Sequence, residues 1–376
     1  MNILDPQIIL KFFREYYLFF VLAVFTGTFL VTYYLIPKVL WVTTEKKLMK
    51  PVIGRSAHSR ETPSFGGVAF FMTFVLFISM LESISPENTG NHLIAAITIL
   101  FMVGLKDDLV ISTAKVKLFG QLSSAAFIIF SPELQITSLY GFMGIFEIPA
   151  AVGYIISAFL LVAMINAYNL IDGINGLAGI IGIIICANYG LVFYLTYNPY
   201  YVIICCSVIG ILLAFLRFNF SRGKNKIFMG DSGSLIIGLI IGFLTLRLLS
   251  VSPNLAYLEN GYYLLTNRYL FILAVLFIPF FDTARVMLSR ILNGTSPFKA
   301  DRNHAHHVLL DLGLRHPQAS ALLGIINLTV IMLFGALRND ISNPTLTLCM
   351  AGIYALFFIL FEWAARHVQT RRRVKV

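Results

Sequence analysis

Aspartate, asparagine, lysine and histidine are concentrated in four short stretches of an otherwise strongly apolar chain. The stretches are GLKDDLVISTAKVKL with Asp107, Asp108, Lys115 and Lys117; NAYNLIDGINGLAG with Asn169, Asp172 and Asn175; NFSRGKNKIFMGDSGSLIIG with Asn219 and Asp231; and SPFKADRNHAHHVLLDLG with Asp301, Arg302, His304, His306 and His307. Carboxylate and amide oxygens suit Mg²⁺ or Mn²⁺, which proteins usually hold with one or two carboxylates plus substrate phosphates. The lysines, Arg302 and the histidines supply positive charge for phosphate. Together these residue types indicate phosphoryl transfer, in which positioning and charge neutralisation provide most of the catalysis.

Each stretch also has a simpler interpretation. The acids Asp107, Asp108, Asp172 and Asp231 could be helix caps or turn residues, because aspartate favours both positions. The histidines could form a zinc site, although no cysteine lies near them in sequence. GDSGS leads directly into an apolar run, so the backbone N–H groups of that helix could hold an anion. Asp282, in FDTAR, is interpreted as an ordinary polar residue of a helix.

The apolar runs between the stretches must position them, and their composition places them in lipid. Of 376 residues, 58% are hydrophobic and 12% are charged, whereas soluble domains contain about 25% charged residues. A helix needs about 20 apolar residues to cross a bilayer. Eleven spans are predicted near residues 17–40, 67–84, 92–105, 118–130, 150–165, 177–196, 200–216, 235–249, 269–287, 318–337 and 346–365.

Lysine and arginine are distributed unevenly between the loops, and this predicts the orientation. The loops after spans one, three, seven and nine and the C-terminal tail are basic, whereas the loops after spans two and four carry glutamates and no base. Because cytoplasmic loops are enriched in Lys and Arg, we expect a cytoplasmic C-terminus and, with an odd number of spans, an external N-terminus. The four polar stretches follow spans three, five, seven and nine. We therefore expect them to form one site on the cytoplasmic face.

The expected fold class is an all-α, polytopic integral membrane helical bundle of about eleven transmembrane helices, forming a single domain over residues 1–376. The loop asymmetry accounts for the net charge of +10, so nucleic acid is not an expected partner. No signal-peptide cleavage pattern stands out, and the first span is expected to be retained. A polytopic anion transporter is the alternative from another class. It predicts polar residues along the mid-membrane path rather than at one face.

In their order along the chain, these motifs resemble those of the polyprenyl-phosphate N-acetylhexosamine-1-phosphate transferases, of glycosyltransferase 4 type. The resemblance runs from RSAHSRETPSFGG, which contains Arg55 and His58, to ADRNHAHH. It implies an Mg²⁺-dependent enzyme (Mn²⁺ is an alternative) of the bacterial inner membrane that moves a sugar 1-phosphate from a UDP-sugar to a polyprenyl phosphate and releases UMP. The active site would lie on cytoplasmic loops around 43–66, 105–117, 166–176, 217–234 and 288–317.

The resemblance also implies roles for individual residues. Asp107 and Asp108 would handle the lipid phosphate, one of them as a candidate base, and Lys117 would help to position phosphate. Asp231, Asp172 and Asn169 would hold the metal, with Asp172 also acting in catalysis. The remaining candidates would contact substrate: Arg55, His58, Lys115, Asn169, Asn175, Asn219, Arg302, His304, His306 and His307.

Two details bear on the branch of the family and on the catalytic acids. The ADRxHxHHxLL pattern and eleven spans resemble the branch that uses UDP-GlcNAc and undecaprenyl phosphate, since Ala305 interrupts the three consecutive histidines of the peptidoglycan branch. We expect GlcNAc 1-phosphate transfer as the first membrane step of surface-polysaccharide (including lipopolysaccharide O-antigen) or cell-wall polymer synthesis; phospho-MurNAc-pentapeptide transfer is the runner-up, and a homodimer stays open. Many bacterial relatives carry DGIDGL, whereas this chain has DGINGL. We expect the acid that Asn175 replaces to be dispensable, because Asp172 and Asp231 remain.

Overall fold

The computed structural model describes residues 15–48, 62–82, 88–110, 112–251, 267–297, 303–338 and 340–374, with side chains up to Val368. The apolar runs form helices, because a lipid-embedded segment must pair its backbone polar groups internally. The helices are α1 Tyr17–Glu45, α2 Gly66–Met80, α3 Thr89–Leu109, α4 Ala114–Ile129, α5 Ala150–Ile171, α6 Leu177–Leu195, α7 Pro199–Asn219, α8 Gly230–Ser250, α9 Arg268–Val275, α10 Phe277–Leu292, α11 Ala305–Asp311, α12 His316–Leu337 and α13 Asn343–Val374.

All eleven predicted spans coincide with helical segments, and the described part of the chain is mostly helical. Within the described residues, seven helices are long and apolar enough to cross a membrane, namely α1, α5, α6, α7, α8, α12 and α13. The number becomes eight if α9 and α10 together form one span. The protein is therefore a polytopic helical membrane protein.

The ninth predicted span is not one continuous helix, because α9 and α10 meet at an angle of 79°. Pro279 lies in the first turn of α10 and has no N–H to donate to the carbonyl of Val275, which breaks the ladder at this point. Asn327 of α12 replaces the missing bonds. Its Nδ2 donates to the Val275 carbonyl (3.0 Å), and its Oδ1 accepts from the backbone N–H of Ile278 (3.0 Å).

A small hairpin between α4 and α5 departs from the predicted all-α fold. Strands β1 (Ser138–Phe142) and β2 (Ile145–Glu147) pair in antiparallel fashion. Met143 and Gly144, between the strands, have φ values of 52° and 79°. Positive φ at both central residues matches the two-residue turns that join twisted strands. The hairpin lies outside the apolar runs, where helix-based reasoning does not apply.

Helix α8 is the centre of the bundle and packs against α2, α3, α5 and α6. In its most apolar window 94% of the residues are buried, compared with 17% in α13. Charged side chains from neighbouring helices lie at both of its ends, with Asp108 of α3 at the N-terminus and Arg268 of α9 at the C-terminus. Both charges complement the helix dipole, which is positive at the N-terminus and negative at the C-terminus.

Candidate active site at the N-terminal end of α8

Three of the four polar stretches meet where α8 begins. Asp107 lies in the last turn of α3, Lys117 in the first turn of α4, Asn169 in the last turn of α5 and Asp231 in the first turn of α8. The apolar helices bring these residues together because each polar residue lies at the same end of its helix. The structure thus gathers side chains that are up to 124 residues apart in sequence.

Two carboxylates converge on one ammonium group at this point. Lys117 Nζ lies 2.9 Å from Asp107 Oδ2 and 2.5 Å from Asp231 Oδ2. Asn169 Nδ2 donates to Asp231 Oδ1 (3.2 Å) and to Ser234 Oγ (2.7 Å), which orients both side chains. A single lysine therefore neutralises two acids, and the group carries an excess of negative charge.

The adjacent acids Asp107 and Asp108 have different surroundings. Asp108 is 2% exposed and accepts hydrogen bonds from the N–H groups of Asp231 (3.0 Å) and Ser232 (2.9 Å) and from Ser232 Oγ (2.7 Å). The start of α8 does bind an anion, as its sequence suggested, but that anion is Asp108 of the same chain. Asp108 therefore positions α8, whereas Asp107 faces Lys117; the predicted roles of both acids toward the lipid phosphate stay predictions.

Gly230 makes this close approach possible. Its φ is +74°, and a Cβ atom there would lie 2.0 Å from the Ser64 carbonyl oxygen and 2.7 Å from Asp108 Oδ2. An L-residue would be strained in this backbone conformation and would also clash with both groups. The glycine of MGDSGS is therefore needed to seat Asp108 against α8.

Asp172 immediately follows α5 and interacts electrostatically with the neighbouring acids. Its burial raises its pKa well above the ordinary range, and the negative charges of Asp231 and Asp108 add to this. A cation near these groups would relieve the repulsion. Among the described residues, no three acidic, histidine or cysteine side chains form a metal-binding group by themselves. This donor set fits a cation such as Mg²⁺, which takes one or two carboxylates and completes its shell with substrate phosphate and water.

The fourth polar stretch reaches the site through His306. A Cβ atom on Gly173 would lie only 2.1 Å from His306 Nε2, so the imidazole lies directly against the loop that follows Asp172. Burial lowers the pKa of His306 to about 3, against the opposing charge of Asp282. His306 is therefore neutral at pH 7 and does not provide the positive charge that was predicted for it. The half-buried His307 lies beside it, with ring centroids 4.3 Å apart.

His304 is held by an acid that sequence reasoning did not assign to the site. Asp282 Oδ2 lies 2.8 Å from His304 Nδ1, and Asp282 Oδ1 accepts from the N–H of Ala305 (2.6 Å). Asp282 is a polar residue of α10, as interpreted from the sequence, but it is buried and its carboxylate connects α10 to His304 and Ala305. The available signal was the pairing of Asp282 with Arg285 three residues later, inside an apolar run. Charged residues are costly there and usually have a role.

Asn219 and Asn175 anchor the loop between α5 and α6. Asn219 is 3% exposed; its Oδ1 accepts from the N–H of Gly176 (2.6 Å), and its Nδ2 donates to the Ile227 carbonyl (2.9 Å). It therefore positions the loop, and the predicted contact of Asn219 with substrate stays a prediction. The Asn175 carbonyl accepts from Ser320 Oγ (2.7 Å). Its side-chain Oδ1 is buried and has no hydrogen-bond partner among the described residues.

Of the remaining predicted site residues, only Lys115 lies in the described part of the chain, and it is not part of this cluster. Lys115 is exposed on α4, and it lies two residues before Lys117, a spacing that places two side chains on different faces of a helix. Arg55, His58 and Arg302 lie outside the described residues, as does Asp301. Ser232 and Ser234, whose hydroxyl groups bind Asp108 and Asn169, were not predicted individually.

Sequence similarity to known proteins covers the central helices in one comparison and most of the chain in another. The model of glycosyl transferase family 4 matches residues 91–249, which include Asp107, Lys117, Asn169, Asp172 and Asp231. The decaprenyl-phosphate N-acetylglucosaminephosphotransferase of Mycolicibacterium smegmatis is 31% identical over 319 residues, covering 80% of this chain and 77% of that protein. The undecaprenyl-phosphate alpha-N-acetylglucosaminyl 1-phosphate transferase of Salmonella typhi is 27% identical over 321 residues, covering 83% and 82%.

The relationship and the geometry agree on the class of protein. The family match spans the helices that carry the acids and the lysine, and the relatives extend the similarity over most of the chain. Phosphoryl transfer depends mainly on positioning and on charge stabilisation, which acids grouped beside a lysine can provide. The chain belongs to glycosyl transferase family 4, with the polyprenyl-phosphate N-acetylhexosamine-1-phosphate transferases, and is a membrane-bound sugar-phosphate transferase.

Proposed function

We propose that this protein transfers N-acetylglucosamine 1-phosphate from UDP-GlcNAc to undecaprenyl phosphate and releases UMP. The observation that carries the proposal is the convergence of Asp107 and Asp231 on Lys117, in a chain of this family. The names of the relatives support N-acetylglucosamine as the sugar. They name two acceptors, decaprenyl phosphate and undecaprenyl phosphate. The histidine pattern ADRxHxHHxLL favours the second.

In the proposed reaction, an oxygen of the lipid phosphate attacks the β-phosphorus of the UDP-sugar. The bond between that phosphorus and the bridging oxygen breaks, and UMP leaves with the bond's electron pair. A phosphate monoester is largely dianionic at pH 7, since its second pKa is about 6. Asp107 therefore acts by positioning the lipid phosphate rather than by removing a proton from a weak acid. In the substrate complex, the ammonium group of Lys117 would exchange its contacts with the two carboxylates for a contact with phosphate.

A divalent cation, Mg²⁺ or Mn²⁺, would be held by Asp231 with Asp107, Asp172 and Asn169 close by. When bound, it would neutralise the diphosphate oxygens. The residues fit this group because three carboxyl groups, those of Asp107, Asp108 and Asp231, lie at the start of α8 beside the ammonium group of Lys117. His306, neutral and packed on the Asp172 loop, would contribute hydrogen bonds to the sugar nucleotide.

The proposed topology has eleven spans, an external N-terminus and a cytoplasmic C-terminus, in a single domain of the bacterial inner membrane. It places the start of α8 on the cytoplasmic side, beside the basic residues of 217–226, and the hairpin outside. Cysteine labelling with a membrane-impermeant reagent in intact cells tests this, in a background without the four native cysteines. Met143→Cys should be labelled and Lys224→Cys should not; the reverse pattern would refute this orientation.

Release of UMP by purified protein tests the reaction. UDP-GlcNAc, UDP-GalNAc and UDP-MurNAc-pentapeptide are compared as donors, each with undecaprenyl phosphate, decaprenyl phosphate or no acceptor. We expect acceptor-dependent release of UMP with UDP-GlcNAc and a higher rate with undecaprenyl phosphate. If UDP-MurNAc-pentapeptide were the one donor among the three that gives acceptor-dependent release of UMP, the protein would be a phospho-MurNAc-pentapeptide transferase. Absence of release with every pair would exclude the enzymatic assignment of this site.

A further inference from the structure

A buried network of charges joins the last helix to the histidine stretch. Glu362 of α13 binds Arg285 of α10, with Oε1 and Nη1 3.0 Å apart, and Ser289 Oγ lies 3.4 Å from Glu362 Oε2. Arg285 Nη2 lies 3.4 Å from Asp282 Oδ1 and also donates to the carbonyl of Asn303. The Arg285 side chain has no exposed area, and that of Glu362 is 19% exposed.

The charges alternate along this network and end on an imidazole. Glu362 is negative, Arg285 positive and Asp282 negative, and Asp282 binds His304 Nδ1. A carboxylate on one ring nitrogen fixes the orientation of a histidine and the tautomer that its other nitrogen presents. Arg285 also holds the Asn303 carbonyl, so the backbone entering α11 is attached to α10 at the same place.

The position of His304 is transmitted to the site at the start of α8. The rings of His304 and His306 are nearly parallel, with centroids 5.9 Å apart and an interplanar angle of 8°. His306 in turn packs on Gly173, next to Asp172. A shift of the α11 segment would therefore displace the ring that lines the Asp172 loop.

Glu362 completes the network. Arg285 is buried, and without Glu362 its charge would be balanced by Asp282 alone, which also serves His304 and the N–H of Ala305. Competition for Asp282 would loosen its hold on His304. A buried charge that loses a partner is costly and the surroundings move to compensate. Among the described residues, α13 is peripheral: its main packing partners are α9, α10 and α11, and only 17% of its most apolar window is buried.

We propose that Glu362 is a positioning residue for sugar-nucleotide binding, acting through Arg285 and Asp282 on His304 and His306. The inference rests on the proposed function, because it assigns the histidines to the UDP-sugar. It makes α13 part of the donor site, although none of the described α13 side chains belongs to the cluster of Asp107, Lys117, Asn169 and Asp231.

The test is the kinetics of purified Glu362→Gln with UDP-GlcNAc as the varied substrate and undecaprenyl phosphate saturating. We expect KM for UDP-GlcNAc to rise about tenfold with kcat changed less than about threefold, since binding rather than chemistry is weakened. A purely structural role would reduce the fraction of active enzyme, and hence apparent kcat, and leave KM unchanged. An unchanged KM in folded Glu362→Gln overturns the proposal.

Glu133→Gln is the matched control. Glu133 forms the corresponding pair with Arg247 at the opposite end of α8 (3.5 Å), and both side chains are 18% exposed. Its KM for UDP-GlcNAc should equal that of the wild type, and an equal rise in both variants would overturn the proposal. If Glu362→Gln does not fold, Glu362→Asp is measured instead, because it keeps the charge and removes one methylene group. Its KM for UDP-GlcNAc should rise above the wild-type value by less than about tenfold. An unchanged KM in Glu362→Asp would again overturn the proposal. Absence of UMP release by the wild type would instead refute the proposed function.

Discussion

Both ends of α8 contain charged groups, but the two ends arrange them differently. At the Ser250 end, Arg268 Nη1 donates to three carbonyl groups, and Arg247 binds Glu133 and Asn198. At the Gly230 end, Asp107 and Asp231 share Lys117. Positive charge at the Ser250 end is surrounded by acceptors of the protein itself. Negative charge at the Gly230 end is only partly balanced.

The difference distinguishes a structural cluster from a binding site in one helix. Buried polar groups that satisfy each other stabilise a fold, whereas a group left short of countercharge has a use for a ligand. The number of polar residues alone would not separate the two ends. Their charge balance does, and substitutions at each end should have opposite consequences for activity and stability.

Asp231→Asn should have the largest effect on activity. It removes one of the two carboxylates that converge on Lys117 and weakens binding of the cation. We expect kcat to fall about a thousandfold, the size seen when one element of a preorganised electrostatic site is removed. Release of UMP measures this. The control is Arg247→Met, at the other end, which should keep kcat near the wild-type value; a mild effect of Asp231→Asn would contradict the assignment.

Lys117→Met should lower kcat/KM about a hundredfold. The substitution removes the ammonium group that we assign to phosphate in the substrate complex. Steady-state kinetics for both substrates is the measurement. Lys117→Arg keeps the charge but not the compact shape, so it should recover activity only in part. Wild-type kinetics in Lys117→Met would show that the lysine is only a structural partner of the acids.

Arg268→Met should affect stability instead of catalysis. It leaves the carbonyl groups at the end of α8 without their donor, for an expected loss of about 2 kcal/mol in the free energy of unfolding. Thermal unfolding in detergent measures the loss, and UMP release per folded molecule should stay at the wild-type value. If Arg268→Met were as stable as the wild type but turned over more slowly, the Ser250 end of α8 would have a function in catalysis, which would contradict the comparison.

Asn175→Asp and Asn175→Ala should have the smallest effects. The backbone of Asn175 carries the contact with Ser320, and its side-chain oxygen has no partner among the described residues. We expect kcat within about threefold of the wild type in both variants. If Asn175→Ala lost most of its turnover with donor binding intact, the acidic cluster would not be sufficient without this side chain.

Sequence reasoning predicted the helices and the meeting of the first three stretches, because hydropathy and the polarity of helix ends follow from composition. It could not distinguish Asp107 from Asp108. Adjacent residues on a helix point about 100° apart, and only the packing of α3 on α8 decides which of the two caps α8. The bend before Pro279 likewise depends on Asn327. This residue accepts a hydrogen bond from the backbone N–H of Ile278, which lies 49 residues earlier in the chain.

The network of Glu362 shows the same limit. Asp282 and Arg285 are three residues apart on one helix, so sequence can suggest that pair, but it does not show that Glu362 and His304 join it. Asp282 was noticed in FDTAR but could not be linked to His304, which lies 22 residues later, immediately before α11. Long-range ion pairs become visible only when the helices are packed.

Binding of Mn²⁺ to the purified protein in the presence of UDP-GlcNAc, followed by electron paramagnetic resonance, tests most directly whether the Gly230 end of α8 is the functional one. We expect wild type and Glu133→Gln to bind Mn²⁺ equally, and Asp231→Asn to bind at least about tenfold more weakly, since one carboxylate is lost from a site that uses few. Equal binding of Mn²⁺ by Asp231→Asn and wild type would contradict the assignment of the metal, and with it the site, to this end of the helix.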